Sequence, residues 1–326
     1  MIRTRLTDMF GLQYPVMSAP MAMHSGGRLA AAVSEAGGLG AFGGFNIAGP
    51  DWLREQIRLV RQATGRTFGA GFITHFLQQF PMLLDVVVEE RVPVVCFSFA
   101  DPAPYVSKAK DAGAAVVCQV QSMTGAREAV AAGADVLVAQ GNEAGGHSGE
   151  MNLLPLLVNL LDAFPDRPVL AAGGITNGRA LAAVLAAGAD GAWAGTAFLA
   201  TPECVEISEA HKQAVVESDG EDTVYTPVID IILEKMMGVG WPEGIAARIR
   251  REPVVERWHG RLDDLRASID EAVAEFLQVR KPGEYGPLMG QAAAQVRKVR
   301  PAAEVLREIC DDAEHILRER PAQVLA

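Results

Sequence analysis

Ala132-Gly-Ala-Asp-Val-Leu-Val-Ala-Gln140 joins a helical stretch to a short apolar run that ends on a polar side chain. Glycine closes the helix cheaply in the left-handed conformation, and the β-branched residues behind it favour an extended strand. The same step recurs at Ala112-Gly-Ala114 and Ala187-Gly-Ala189, with Glu35-Ala36-Gly37 as a looser relative. Strands that alternate with helices make a parallel sheet with crossover helices. Reading outward in both directions gives eight strands, at 15–19, 39–42, 68–73, 92–98, 114–120, 135–140, 168–172 and 191–194. Eight such units favour a closed α/β structure, the (β/α)8 TIM barrel, over an open doubly wound sheet.

Beyond Thr201-Pro202 the pattern changes to charged helical stretches at 206–217, 228–237 and 262–276, and no strand signal is expected there. The barrel is therefore assigned to residues 1–202 and 286–326, and a helical insertion domain that roofs the active site to 203–285. Lys281-Pro-Gly-Glu-Tyr-Gly-Pro287 reads as the return linker, and an amphipathic stretch at 302–318 as a helix packed back on the barrel.

Composition narrows the function. A net charge of −11 argues against a nucleic-acid partner, which needs clustered Lys and Arg. The one basic group, Arg248-Ile-Arg250-Arg251, is followed at once by Glu252 and reads as the solvated face of a short helix. No apolar run suits a signal peptide or a membrane span, so a cytoplasmic protein without a membrane partner is expected. Cys96, Cys118, Cys204 and Cys310 are scattered with no metal-ligand spacing, which predicts buried free thiols and no metal site.

In this architecture chemistry sits just past the carboxyl ends of the strands. Gly173-Gly174 and Gly195-Thr196 follow the last two strands, where bare backbone N–H groups can approach a phosphate. A tight turn with no ligand would use the same glycines, but two such loops side by side, with no dinucleotide fingerprint elsewhere, suit a mononucleotide such as FMN. The loop after the sixth strand, Gln140-Gly-Asn-Glu-Ala-Gly-Gly-His-Ser-Gly149, combines four glycines with an acid and an imidazole. His147 can exchange a proton near neutral pH. Glu143 either orients a neighbour or caps a turn. Gln119 is polar where a strand end is usually apolar, and its amide bonds either a flavin edge or local backbone. His24 and His75 fall on the same face and either line the substrate pocket or serve the loops. His211, His259 and His315 read as structural.

On Gln140-Gly-Asn-Glu-Ala-Gly-Gly-His147, Pro15-Val-Met-Ser-Ala-Pro-Met21, Gly173-Gly-Ile175, Gly195-Thr-Ala-Phe198 and Gly290-Gln291, the chain resembles the nitronate monooxygenase family, also called 2-nitropropane dioxygenase-like. The resemblance implies FMN held by Ala19, Pro20, Met21, Gln119, Gly145, Gly146, Gly173, Gly174, Gly195 and Thr196, with Gln291 closing over it. It also implies His147 as the base in the oxidation of an alkyl nitronate by dioxygen to a carbonyl compound and nitrite. Gly71 departs from the family, many members of which carry Asn there. NAD(P)H-dependent quinone reductases and flavin-dependent enoyl-acyl-carrier-protein reductases are the alternatives within the fold, and a flavin- or metabolite-binding protein without turnover is the alternative outside enzymes.

Overall fold

The computed structural model describes residues 1–279 and 286–325. Eight parallel strands form the barrel: β1 Val16–Ser18, β2 Gly40–Gly43, β3 Phe68–Ile73, β4 Val94–Ser98, β5 Ala115–Val120, β6 Val136–Gln140, β8 Val169–Ala172 and β9 Gly191–Ala194. Between β6 and β8 lies a three-residue strand, β7, Gly146–Ser148. The strand order β1-β9-β8-β6-β5-β4-β3-β2 returns to its start. Closure is made by Ser18 donating to the Leu39 carbonyl and Leu39 to that of Val16, both at 3.0 Å. All eight strands lie where the alternating pattern places them.

Inside the barrel Met17, Ala19, Leu39, Ala41, Val94, Cys96, Val117, Val136, Val138, Leu170, Ala172 and Trp193 form one apolar column. The helix Arg5–Phe10 closes its amino-terminal end with Leu6, which is fully buried. Arg5 fixes that plug through paired 2.8 Å bonds to the two carboxylate oxygens of Asp190. A larger core lies between the strands and their helices. The four cysteines are all free and buried, and burial pushes the Cys118 and Cys204 thiols up to about 12, so neither is a nucleophile at neutral pH.

The stretch after β9 is not purely helical. Helices Glu209–Glu217, Val228–Met237 and Ile269–Val279 occur as the pattern suggests, but β10 Thr223–Thr226 and β11 Ala246–Arg250 lie among them. These two strands and β7 make an antiparallel sheet in the order β10-β11-β7. The helical reading of Arg248-Ile-Arg250-Arg251 is likewise corrected: Arg248 and Arg250 belong to β11, and the Arg248 side chain is buried. Short strands paired to distant segments leave little local pattern, which is why the charged composition masked them. The insertion has its own core, built on Val228, Ile232, Ile249, Val255, Trp258 and Leu265. Of the expected return linker, residues 281–285 lie outside the described residues. The carboxyl-terminal helix, Ala302–Val324, packs on Gly178–Ala186, where a Cβ on Gly178 would stand 2.3 Å from the Asp312 Cβ. Among the described residues no helix is long and apolar enough to cross a membrane.

Candidate active site

One deep cavity opens at the carboxyl ends of the strands. Ala19, Pro20, Met21, Gln119, Gly145, Gly146, Gly173, Gly174, Gly195 and Thr196 all line it, as do His24 and His147. The insertion covers it with Ile229, Leu233, Met237, Trp241 and Ala247. Gln291 is not on its wall: the side chain is exposed, while Gly290 and Ala292 beside it line the cavity. The Gln291 backbone still ties the returning segment to the site, donating to the Glu143 carbonyl at 3.1 Å.

His147 sits on β7, so a strand rather than an open loop carries it. Its main chain faces Ala247 of β11, and its carbonyl accepts from Gln140 Nε2 at 2.8 Å. Gln121 Nε2 donates to Gln140 Oε1 at 2.8 Å and holds that amide in turn. Three constraints fix the imidazole. Its Nε2 lies 2.6 Å from Asp230 Oδ1 of the helix Val228–Met237, and its face stacks on Trp241 with ring centroids 3.3 Å apart at 10°. Phe99 approaches edge-on at 6.3 Å, and it is one of the few non-glycine residues with positive φ, at 73°. Such strain concentrates at sites where the surroundings over-determine the backbone.

Asp230, Trp241 and Arg248 were missed in the sequence. Asp230 interrupts the apolar run Val228-Ile-Asp-Ile-Ile-Leu233, and a buried carboxylate needs a partner, so that run was the available signal. Arg248 anchors the glycine-rich loop: Nε donates to the Asn142 carbonyl at 3.0 Å and Nη2 to Asn142 Oδ1 at 2.8 Å. Burial lowers its pKa. Glu143 takes a structural position, Oε2 accepting from Leu153 N at 3.2 Å where the helix Leu153–Ala163 begins. His75 is not a wall residue; it packs edge-on against Trp241, and burial first, then the neighbouring His147, brings its pKa to about 4. His24 is buried beside His211, and burial lowers its pKa too. Neither residue therefore supplies a cation at neutral pH.

The glycine loops fit a phosphate. Gly173 and Gly174 have φ of 116° and 71°, a left-handed pair open only to glycine without strain. Thr196 Oγ1 accepts from Gly290 N at 3.0 Å, so its own O–H remains to donate. Among the described residues no lysine or arginine lines the cavity, so there backbone N–H groups and hydroxyls are the groups placed to receive an anion. Gly71 has a local cause: a Cβ there would lie 2.3 Å from Pro20 Cγ, so the Asn of other members has no room.

A sequence model described as "Nitronate monooxygenase" matches residues 3–79 and 72–312. A probable nitronate monooxygenase of Staphylococcus aureus is 34% identical over 273 residues, covering 69% of this chain and 75% of that protein. A 5-hydroxy-7a-methyl-1-oxo-octahydro-1H-indene-4-carboxyl-CoA dehydrogenase of Mycobacterium tuberculosis is 32% identical over 260 residues, 76% of this chain and 72% of that one. Among solved structures, FabK from Thermotoga maritima aligns with a TM-score of 0.87 at 31% identity over 99% and 100% of the two chains. A nitroalkane oxidase from Streptomyces ansochromogenes aligns at 0.78 and 29% identity, over 97% and 99%.

Proposed function

The chain belongs to the nitronate monooxygenase family and is an oxidoreductase, and from that premise we propose that it binds FMN and oxidises alkyl nitronates with dioxygen to carbonyl compounds and nitrite. The observation that carries this reading is His147, held rigid on the wall of a cavity whose opposite loops suit a mononucleotide phosphate. FMN, when bound, would supply the redox chemistry that relays electrons from the substrate to oxygen. Gly173, Gly174, Gly195 and Thr196 would hold its phosphate. Ala19, Pro20, Met21, Gly145 and Gly146 would shape the walls around its ring, and Gln119 would offer an amide to a ring edge. His147 would take the proton from a neutral nitroalkane or hold the anionic nitronate by a hydrogen bond. The apolar roof from Ile229 to Trp241 would exclude bulk water, which strengthens that interaction.

A second reading, reduction or oxidation of a thioester substrate, is favoured by the relative whose name carries a CoA thioester and by the near full-length likeness to FabK. Among the described residues the cavity wall carries no lysine or arginine, which weighs against seating a polyanionic CoA deep in the site. Two cuvettes separate the readings. The yellow protein mixed with an alkyl nitronate in air should consume oxygen and release nitrite. Bleaching of the flavin by NADH or NADPH under nitrogen, with no nitronate-driven oxygen uptake, would overturn the nitronate reading in favour of a reductase. Inertness in both would point to binding without turnover.

A further inference from the structure

We propose that Asp230 is the positioning residue of the site: its carboxylate takes the Nε2 proton of His147, so that Nδ1 is the atom that exchanges a proton with the substrate. This rests on His147 being the base.

The geometry assigns the two ring nitrogens different surroundings. Nε2 is 2.6 Å from Asp230 Oδ1, at the short end for a charge-assisted bond. An ionised carboxylate can only accept, so Nε2 carries the hydrogen and the basic lone pair of neutral His147 is on Nδ1. Nδ1 meets no protein hydrogen-bond partner among the described residues, and His147 lines the cavity. The stacked indole of Trp241 fixes the ring plane while Asp230 fixes its rotation, so the imidazole has no second orientation that keeps both contacts.

Asp230 is placed to do this and little else. It lies in the first turn of its helix, where the backbone dipole favours a negative charge, and its side chain is 7% exposed. Its second oxygen, Oδ2, is buried with no hydrogen-bond partner among the described residues. Among the described residues the imidazole is thus the only hydrogen-bond donor that meets this carboxylate, and protonating His147 converts a singly bonded buried anion into an ion pair. The other titratable groups facing the pair are His24 and His75, from the loops after β1 and β3, and Tyr225 of β10. Burial keeps both histidines neutral, so neither offers a charge to His147, and Asp230 is the acidic group in contact with the ring. Because Asp230 lies on the helix Val228–Met237 and His147 on β7, the base is complete only when that helix is seated against the strand.

The test uses the flavin-loaded protein with its histidines labelled with nitrogen-15, as wild type, Asp230→Asn, Asp230→Glu and His147→Asn. Wild type should show a low-field Nε2 proton that is lost in both Asn variants. The His147 titration midpoint should fall by about one unit or more in Asp230→Asn, the size expected when an opposite charge at contact distance is removed. Asp230→Glu should recover part of that fall, and it keeps the proposal open to test if the Asn variant does not fold. The pH at which neutral nitroalkane turnover is half-maximal should fall with the titration midpoint. A His147 midpoint and pH profile unchanged in Asp230→Asn would overturn the positioning role. Wild-type nitroalkane turnover in His147→Asn would instead overturn the base itself, and the NMR titration would still report whether the two side chains are coupled.

Discussion

His75 shows how burial at a single residue translates into pH dependence. Its folded pKa of about 4 lies below the ordinary histidine value near ~6.5, so between those limits the unfolded chain takes up a proton that the folded one refuses. Stability is therefore fully present above about pH 6.5 and falls as pH drops toward 4, and His24 acts in the same direction. Thermal unfolding midpoints should decline across that window, and His75→Phe, which keeps a ring against Trp241, should flatten part of the decline. Parallel curves for the two proteins would contradict the assignment. Gly71 gives a second residue-scale prediction. An Asn there would press on Pro20, and overpacking of that kind costs about 1–3 kcal/mol, so Gly71→Asn should weaken FMN binding roughly tenfold in a fluorescence titration.

At the scale of elements, the β10-β11-β7 sheet is what turns a glycine-rich loop into a rigid support. Arg248 reaches from β11 to both oxygens of Asn142, and Tyr225 of β10 donates from its hydroxyl to the Ser148 carbonyl at 2.9 Å. Arg248→Met should lower stability in urea by about 3 kcal/mol or more, since its two bonds to Asn142 come from a charged donor and are worth roughly 1.5–3 kcal/mol each, while the stem is retained. It should also loosen flavin binding through the slackened 141–149 loop. Unchanged urea midpoints would show that the clamp is idle.

These elements also mark what the sequence made legible. Four of the eight barrel strands follow an Ala-Gly step that closes the preceding helix, and the others are short apolar runs between helical stretches, so each could be placed without knowing its neighbours. β7, β10 and β11 have three, four and five residues and owe their pairing to segments far along the chain, so no local period announced them. The cavity wall followed from barrel geometry and from the glycine motifs, whereas Gln291 was carried over on its motif alone and stands outside that wall. Asp230 was hidden for a different reason: an acid in an apolar run declares that it is buried but not what it meets.

For the whole molecule, the barrel provides a closed floor and the insertion an apolar roof, and the site exists only between them. Leu6 and the Arg5–Asp190 pair seal the far end, so the mouth at the strand carboxyl ends is where substrate and flavin would enter. The proposed oxidation draws on every part at once: phosphate loops after β8 and β9, the base on β7, its acid partner and stacking indole from the roof. Oxygen uptake by the FMN-loaded protein, with a neutral nitroalkane and its preformed nitronate compared in wild type and His147→Asn, tests this most directly. The account predicts uptake with both substrates in wild type, and in the variant, with FMN retained, a fall of about 10² or more for the nitroalkane. Undiminished nitroalkane turnover by His147→Asn, or no uptake by wild type with either substrate, would contradict it.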